Sequence, residues 1–254
     1  MSLDLDSRQR AMLQEMGVRV WLPERDAPTA PTAKAQPLAA VPASPTPAPV
    51  AQTGTLADGI EAMPWDALAQ AVAQCQACSQ CQGRRAPVFS TSAAQRQADW
   101  LVLGEPPDDN EERLGLPFVG QAGQLLDNML KAVGRHRGAD AAGTVYVTNV
   151  IKCRPSTARN PQPQDLATCE HYLRREVALV QPRVILALGR FAAQALLQLS
   201  QPELAAVPLG KLRGQVYRYQ GIPVIVSYPP AYLLRTPQDK ARAWADWCLA
   251  LSVI

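Results

Sequence analysis

The sequence predicts an α/β protein: three layers, α/β/α, around a central, mainly parallel, four-stranded sheet. Short apolar runs of strand length alternate with longer stretches of helical period. The runs are apolar throughout instead of alternating, as in strands buried on both faces. Each run ends in glycine, proline or polar residues, and open α/β sheets bind ligands at those carboxyl ends.

In chain order, SRQRAMLQEM (7–16) reads as a short amphipathic helix, with Asp6 or Ser7 as N-cap and Gly17 as the stop. VRVWL and Pro23 follow. Pro64–Trp65–Asp66 opens a helix through about residue 74. WLVLGE (100–105) is a strand, GQAGQLLDNMLKAV (120–133) a helix closed by Gly134, and TVYVTNVIK (144–152) a second strand. A proline-rich loop leads to a helix over about 164–180; RVILALG (183–189) is a strand, followed by a helix over 190–199. GQVYRY and IPVIVSY (214–228) are strands joined by a turn at Gly221, and Thr236–Pro237 caps a last helix carrying Trp244 and Trp247. Cys248, beside Trp247, is expected in the core.

The 254 residues divide into three parts. Residues 26–57 form a linker: seven of the 23 prolines fall between 26 and 55, with nine alanines and only two charged side chains, Asp26 and Lys34. Such a stretch has too little to bury to offset the entropy of ordering. Residues 58–254 are the folded domain. Residues 1–25 form a short helical island with Leu13 and Trp21, and a helix with an aromatic anchor on a long tether has the physical form of a docking peptide.

No stretch of 18 apolar residues exists, so no membrane span is expected, and the acidic start MSLDLDSRQR lacks the apolar core of a secretory signal. A cytoplasmic monomer is the expectation. In a reducing compartment six cysteines are free thiols or metal ligands, not disulfides. Cys75, Cys78 and Cys81 make C-x2-C-x2-C, and Cys153 and Cys169 stand 16 apart. A C-x2-C pair plus two distant cysteines can supply four thiolates to one centre, and this spacing suits zinc and an iron–sulfur cluster nearly equally. After residue 55 the 20 basic residues, 16 of them arginine, exceed the 17 acidic ones by too little to establish nucleic-acid binding.

Four stretches resemble one family. CQACSQCQGRRAPVF (75–89) resembles the cluster entry of the iron–sulfur, type 4 uracil-DNA glycosylases. GEPPDDNEERLGLPFVGQAGQLLD (104–127) resembles their first active-site motif, TNVIKCRP (148–155) their second-strand motif, and YPPAYLLRTP (228–237) their DNA-intercalating loop. The resemblance implies a uracil-DNA glycosylase fold acting on uracil in DNA. It implies a [4Fe-4S] cluster on Cys75, Cys78, Cys153 and Cys169, with Cys81 outside the set. It also implies Phe118 stacking on a flipped base, Asn149 reading the uracil edge, and Glu105 as the catalytic carboxylate. Tyr232, Leu233, Arg235 and Lys152 would contact DNA.

Two departures point the other way. Pro229 stands where the family has a histidine that donates to the leaving base, and proline has no donor. Pro106 and Pro107 replace glycines after Glu105, and Asp108 and Asp109 add negative charge beside a polyanion. LQEMGVRVW (13–21) is similar to the start of the psi subunit of the bacterial polymerase III clamp loader, where such a peptide docks onto the loader's collar. The alternative is therefore a catalytically inactive glycosylase-fold adaptor of the replisome, binding DNA or the clamp loader through that peptide.

Overall fold

A computed structural model of the chain describes residues 54–90, 97–137, 143–154, 160–198 and 201–254. The expected docking peptide, with Leu13 and Trp21, and the linker up to residue 53 lie outside the described residues.

Five strands form one sheet in the order β2-β1-β3-β5-β4: β1 (Trp100–Gly104), β2 (Val145–Asn149), β3 (Val184–Leu188), β4 (Val216–Tyr219) and β5 (Ile222–Ser227). Four run parallel, and β4 is antiparallel to β5. The expected four-stranded sheet thus gains an edge strand. Gln220 and Gly221 both take positive φ, 50° and 84°. That is the two-residue turn which folds a strand back on its neighbour. β4 alternates exposed and buried residues, as an edge strand does, whereas β1, β2 and β3 are buried at every position.

Alternation along β1 sends Leu101 and Leu103 to one face and Trp100 and Val102 to the other. The first face packs under α1 (Trp65–Gln74), α4 (Pro163–Val180) and α5 (Arg190–Leu197), through Leu68, Val72, Leu173 and Leu196. The second packs under α3 (Gly120–Ala132) and α8 (Lys240–Ser252), through Leu126, Leu130, Trp247 and Ala250. This is the expected three-layer arrangement. Three short helices, α2 (Asp109–Leu114), α6 (Leu209–Leu212) and α7 (Pro230–Arg235), are too brief to leave a period in the sequence. Trp247 is fully buried but Cys248 is exposed, against expectation. Cys248 falls one position, about 100°, past Trp247 and so off the buried face made by Ala243, Asp246, Trp247 and Ala250. Among the described residues, no helix is long and apolar enough to cross a membrane.

Lys152 is the largest departure. Expected at a DNA phosphate, it is 1% exposed. Its Nζ donates to Glu176 Oε2 and Thr148 Oγ1, both at 2.6 Å, and to the Asn149 carbonyl at 3.0 Å. The chain after β2 turns under the sheet, and α4 presents Glu176 there. Tyr146 and Thr148 hydroxyls complete the Glu176 carboxylate at 2.6 and 2.9 Å. A charge buried this deeply persists only when paired and hydrogen-bonded.

Candidate active site

β1 lies between β2 and β3, so the chain reverses direction across the sheet there. The crevice at the carboxyl ends of such strands is where α/β sheets bind ligands. Gly104 and Asn149 are paired neighbours at that edge. The Phe118 ring lies directly on Gly104: a Cβ at that position would stand 2.5 Å from the ring. Phe118, 7% exposed, is held in the left-handed region with φ 52°. A non-glycine residue there costs about 1–3 kcal/mol, so the surroundings must enforce it.

Glu111 supplies part of that enforcement. Asp108 caps α2 by accepting from the Asn110 and Glu111 amides, and Glu111 Oε2 returns the bond to the Asp108 amide at 2.8 Å. Glu111 Oε1 accepts from the Phe118 amide at 2.5 Å. Burial pushes the Glu111 carboxyl up, against the pull of those two amides. Glu111 is absent from the sequence expectations. Its D-x-x-E capping pattern was legible, but its reach to Phe118 was not.

Asn149 is 2% exposed. Its Nδ2 donates to the Glu105 carbonyl at 2.8 Å and stands 3.5 Å from Glu111 Oε1. Both neighbours are acceptors, which sets the orientation of the amide. Its Oδ1 is buried without a hydrogen-bond partner. An orphaned buried acceptor is rare enough to require an account.

Glu105 turns the other way. Its side chain follows β1's alternation to the α5 face, where Oε1 accepts from the Phe191 amide at 2.8 Å and the Ala192 amide at 3.4 Å. Gly189 has φ 119°, and any Cβ there would collide with the carboxyl. The structure thus brings Phe118 and Asn149 together and sets the Glu105 carboxyl across the end of β1. Burial, the dominant cause, raises its pKa from 4.5 to about 7, while the two amides and Arg190 pull it down. The folded-state value lies above the unfolded one. The native protein therefore holds an extra proton between those values, and stability falls as pH climbs through that window. Glu105→Gln is expected to abolish this slope. Above pH 7 it gains up to about 3 kcal/mol, less what solvent screening removes. Urea unfolding at pH 5 and pH 8 measures it; an unchanged slope in the variant would contradict the assignment.

The charge expected at Asp108 and Asp109 is largely balanced. Asp108 faces the α2 amides, and Asp109 pairs with Arg154 at 3.1 Å and Arg85 at 3.9 Å. Pro229 caps α7 beyond β5. Around it, Tyr228 stacks on Tyr232 with centroids 4.9 Å apart, and the Arg213 guanidinium lies 4.2 Å from the Tyr228 ring centroid. Tyr232 is half-buried, its hydroxyl donating to Asp239 Oδ2 at 2.6 Å. Leu233 is 1% exposed and serves the core, contrary to expectation, because α7's phase turns it inward. Leu234, 40% exposed, and the exposed Arg235 face outward instead.

A cavity of about 540 Å³ runs along Leu116–Gly120 to Gln124, Asp127 and Arg137. It touches Phe118 but neither Asn149 nor Glu105, so it is a groove beside the loop that carries Phe118.

The model of the uracil DNA glycosylase superfamily matches residues 91–248. The chain belongs to that superfamily. It is 34% identical over 187 residues to a type-4 uracil-DNA glycosylase of Archaeoglobus fulgidus, covering 72% of this chain and 90% of the relative. A type-4 uracil-DNA glycosylase of Pyrobaculum aerophilum is 37% identical over 150 residues, 58% of this chain and 73% of its own. One of Thermotoga maritima is 36% identical over 143 residues, 56% and 69%.

In this superfamily member five cysteines lie on segments that the fold brings near one another. Cys75 ends α1, Cys78 and Cys81 follow, Cys153 lies beyond β2, and Cys169 is on α4. Cys78 lies within electrostatic reach of Cys81, Cys153 and Cys169, and Cys153 within reach of Cys75, Cys81 and Cys169. Burial pushes Cys78 up to about 11 and raises Cys153 and Cys169. Cys153 Sγ accepts from Arg84 Nη1 at 2.9 Å, and Cys169 Sγ from the Lys152 amide at 3.4 Å. Cys81 Sγ donates to the Cys78 carbonyl at 2.8 Å. As the side chains stand, no group of three or more His, Cys, Asp or Glu among the described residues is drawn together around a metal position. The donor chemistry nevertheless fits a thiolate-bound group: the donors are all sulfur, and N–H groups already face two of them.

Proposed function

We propose that this chain is a uracil-DNA glycosylase, hydrolysing the bond between uracil and deoxyribose in DNA. The observation that carries it is the orphaned Oδ1 of Asn149, buried at the end of β2, whose strand partner Gly104 lies under the Phe118 ring. A flipped uracil stacked on Phe118 would present its N3–H to that oxygen and its O4 to the loosely held second Nδ2 hydrogen. Cytosine presents an acceptor at N3 and a donor at position 4, reversing both matches.

Breaking the bond leaves positive charge on the sugar and negative charge on the departing base; water then adds to the sugar and the base takes up a proton. The Glu105 carboxylate, anchored on the α5 amides, offsets the sugar's charge. Pro229 offers the base no donor, and the lack of one donor of this kind costs about 10²–10³ in rate. Leu234, with Arg235 on the backbone, fits an apolar wedge into the stack. Cys75, Cys78, Cys153 and Cys169 would hold a [4Fe-4S] cluster. Such a cluster would supply structural chemistry there, tying the chain at the end of α1, the chain after β2 and α4 together.

Single-turnover excision from a uracil-containing oligonucleotide, by protein with its iron and visible absorption measured, tests the reading. Excision is expected, rising about tenfold or more in Pro229→His. Intact DNA binding without excision in either protein would assign the chain instead to an adaptor role, with the clamp loader as the partner to test against residues 13–21.

A further inference from the structure

Phe118 can stack on a base only if its backbone stays in an unfavourable conformation. Glu111 holds its amide, and a second charged group holds its carbonyl. Arg137 Nη1 donates to the Phe118 carbonyl at 2.9 Å and to the Pro117 carbonyl at 3.3 Å. Nη2 reaches the Gly123 carbonyl at 3.4 Å, on the first turn of α3. The same guanidinium grips both oxygens of Asp127, Nε to Oδ1 and Nη2 to Oδ2, each at 2.6 Å. One side chain thus joins the stacking loop to two positions on α3. The fork of an arginine suits this, since it is planar, rigid and able to bind a carboxylate at two points.

We propose that Arg137, backed by Asp127, is a positioning residue that fixes the Phe118 ring where the flipped base must stack. It touches neither base nor sugar and acts through Phe118. The inference rests on the reading of Phe118 as the stacking residue. Lysine cannot replace it, because a point charge cannot bridge Asp127 and two successive carbonyls at once.

The test combines single-turnover excision, binding of an abasic-site duplex, and a double-mutant cycle with Phe118→Ala. Misplacing a reacting group by about 1 Å can cost 10²-fold in rate. Arg137→Ala is therefore expected to lower excision about 10- to 100-fold. It should leave affinity for the abasic duplex, which has no base to stack, within about twofold. Arg137→Lys should restore little. In the Phe118→Ala background the same Arg137→Ala change should cost less than about threefold, because two residues acting as a unit are not additive. If Arg137→Ala fails to fold, Asp127→Asn, which keeps the arginine and loosens its anchor, should show the same pattern at smaller size. An equal loss in both backgrounds, or a parallel loss of abasic-duplex affinity, would overturn the positioning role alone. Full activity in Phe118→Ala would overturn the stacking reading and the clamp with it.

Discussion

Replacing Asn149 with alanine will lower single-turnover excision of uracil by about 10²–10³-fold, the size expected when one oriented polar partner of the reacting group is lost. Stability should hold. The change removes the Nδ2 bond to the Glu105 carbonyl and the long one to Glu111 Oε1, but it also removes a buried acceptor without a partner. These opposing contributions should leave unfolding free energy within about 1 kcal/mol of the parent. Both effects are read on one preparation, by excision kinetics and by urea unfolding. A variant that loses several kcal/mol would mean that the amide serves the fold. A variant that excises uracil at the parent rate would mean that its Oδ1 faces no substrate.

Lys152→Ala is expected to cost about 3–5 kcal/mol, because it leaves the Glu176 carboxylate buried without its counter-charge. Against a total of about 5–15 kcal/mol for a domain, that loss is severe. Replacing both partners, Lys152→Met with Glu176→Leu, should recover only part of it, since the apolar pair carries no desolvation cost but the buried Tyr146 and Thr148 hydroxyls lose the carboxylate they donate to. Had the lysine been a phosphate contact, alanine would instead have left stability alone and lowered the salt dependence of DNA binding by about one ion. Thermal or urea unfolding of the single and double variants, with binding at two salt concentrations, separates these outcomes.

The parts of the site legible in the sequence share one property: each is a local pattern. The C-x2-C at Cys75, the LPFVG run around Phe118 and the strand-ending TN at Asn149 stand out without any partner. The same is true of the strands, whose unbroken apolar runs report burial on both faces. The misreadings share the opposite property. Lys152 follows Ile151 and precedes Cys153 like any loop lysine, and only the packing of α4 brings Glu176 to it. Leu233 and Leu234 are alike until the axis of α7 turns one inward. Arg137, absent from the sequence expectations, reaches Asp127 across the turn after α3, and no spacing rule marks that pair.

By itself, then, the sequence determined the layer order of the fold, the strand ends where chemistry gathers, and the residue types available for it. Periodicity and turn chemistry are properties of neighbours along the chain, so no tertiary structure is needed to read them. Tertiary structure alone decided which way each polar group faces. It buried Lys152 on Glu176, turned Glu105 to the α5 amides and left the buried Asn149 oxygen unpartnered. The physical reason is that burial energy and hydrogen-bond geometry depend on distances in space between residues far apart in the chain. Glu105 meets Phe191 across a separation of 86 positions, and nothing local to either residue records the meeting.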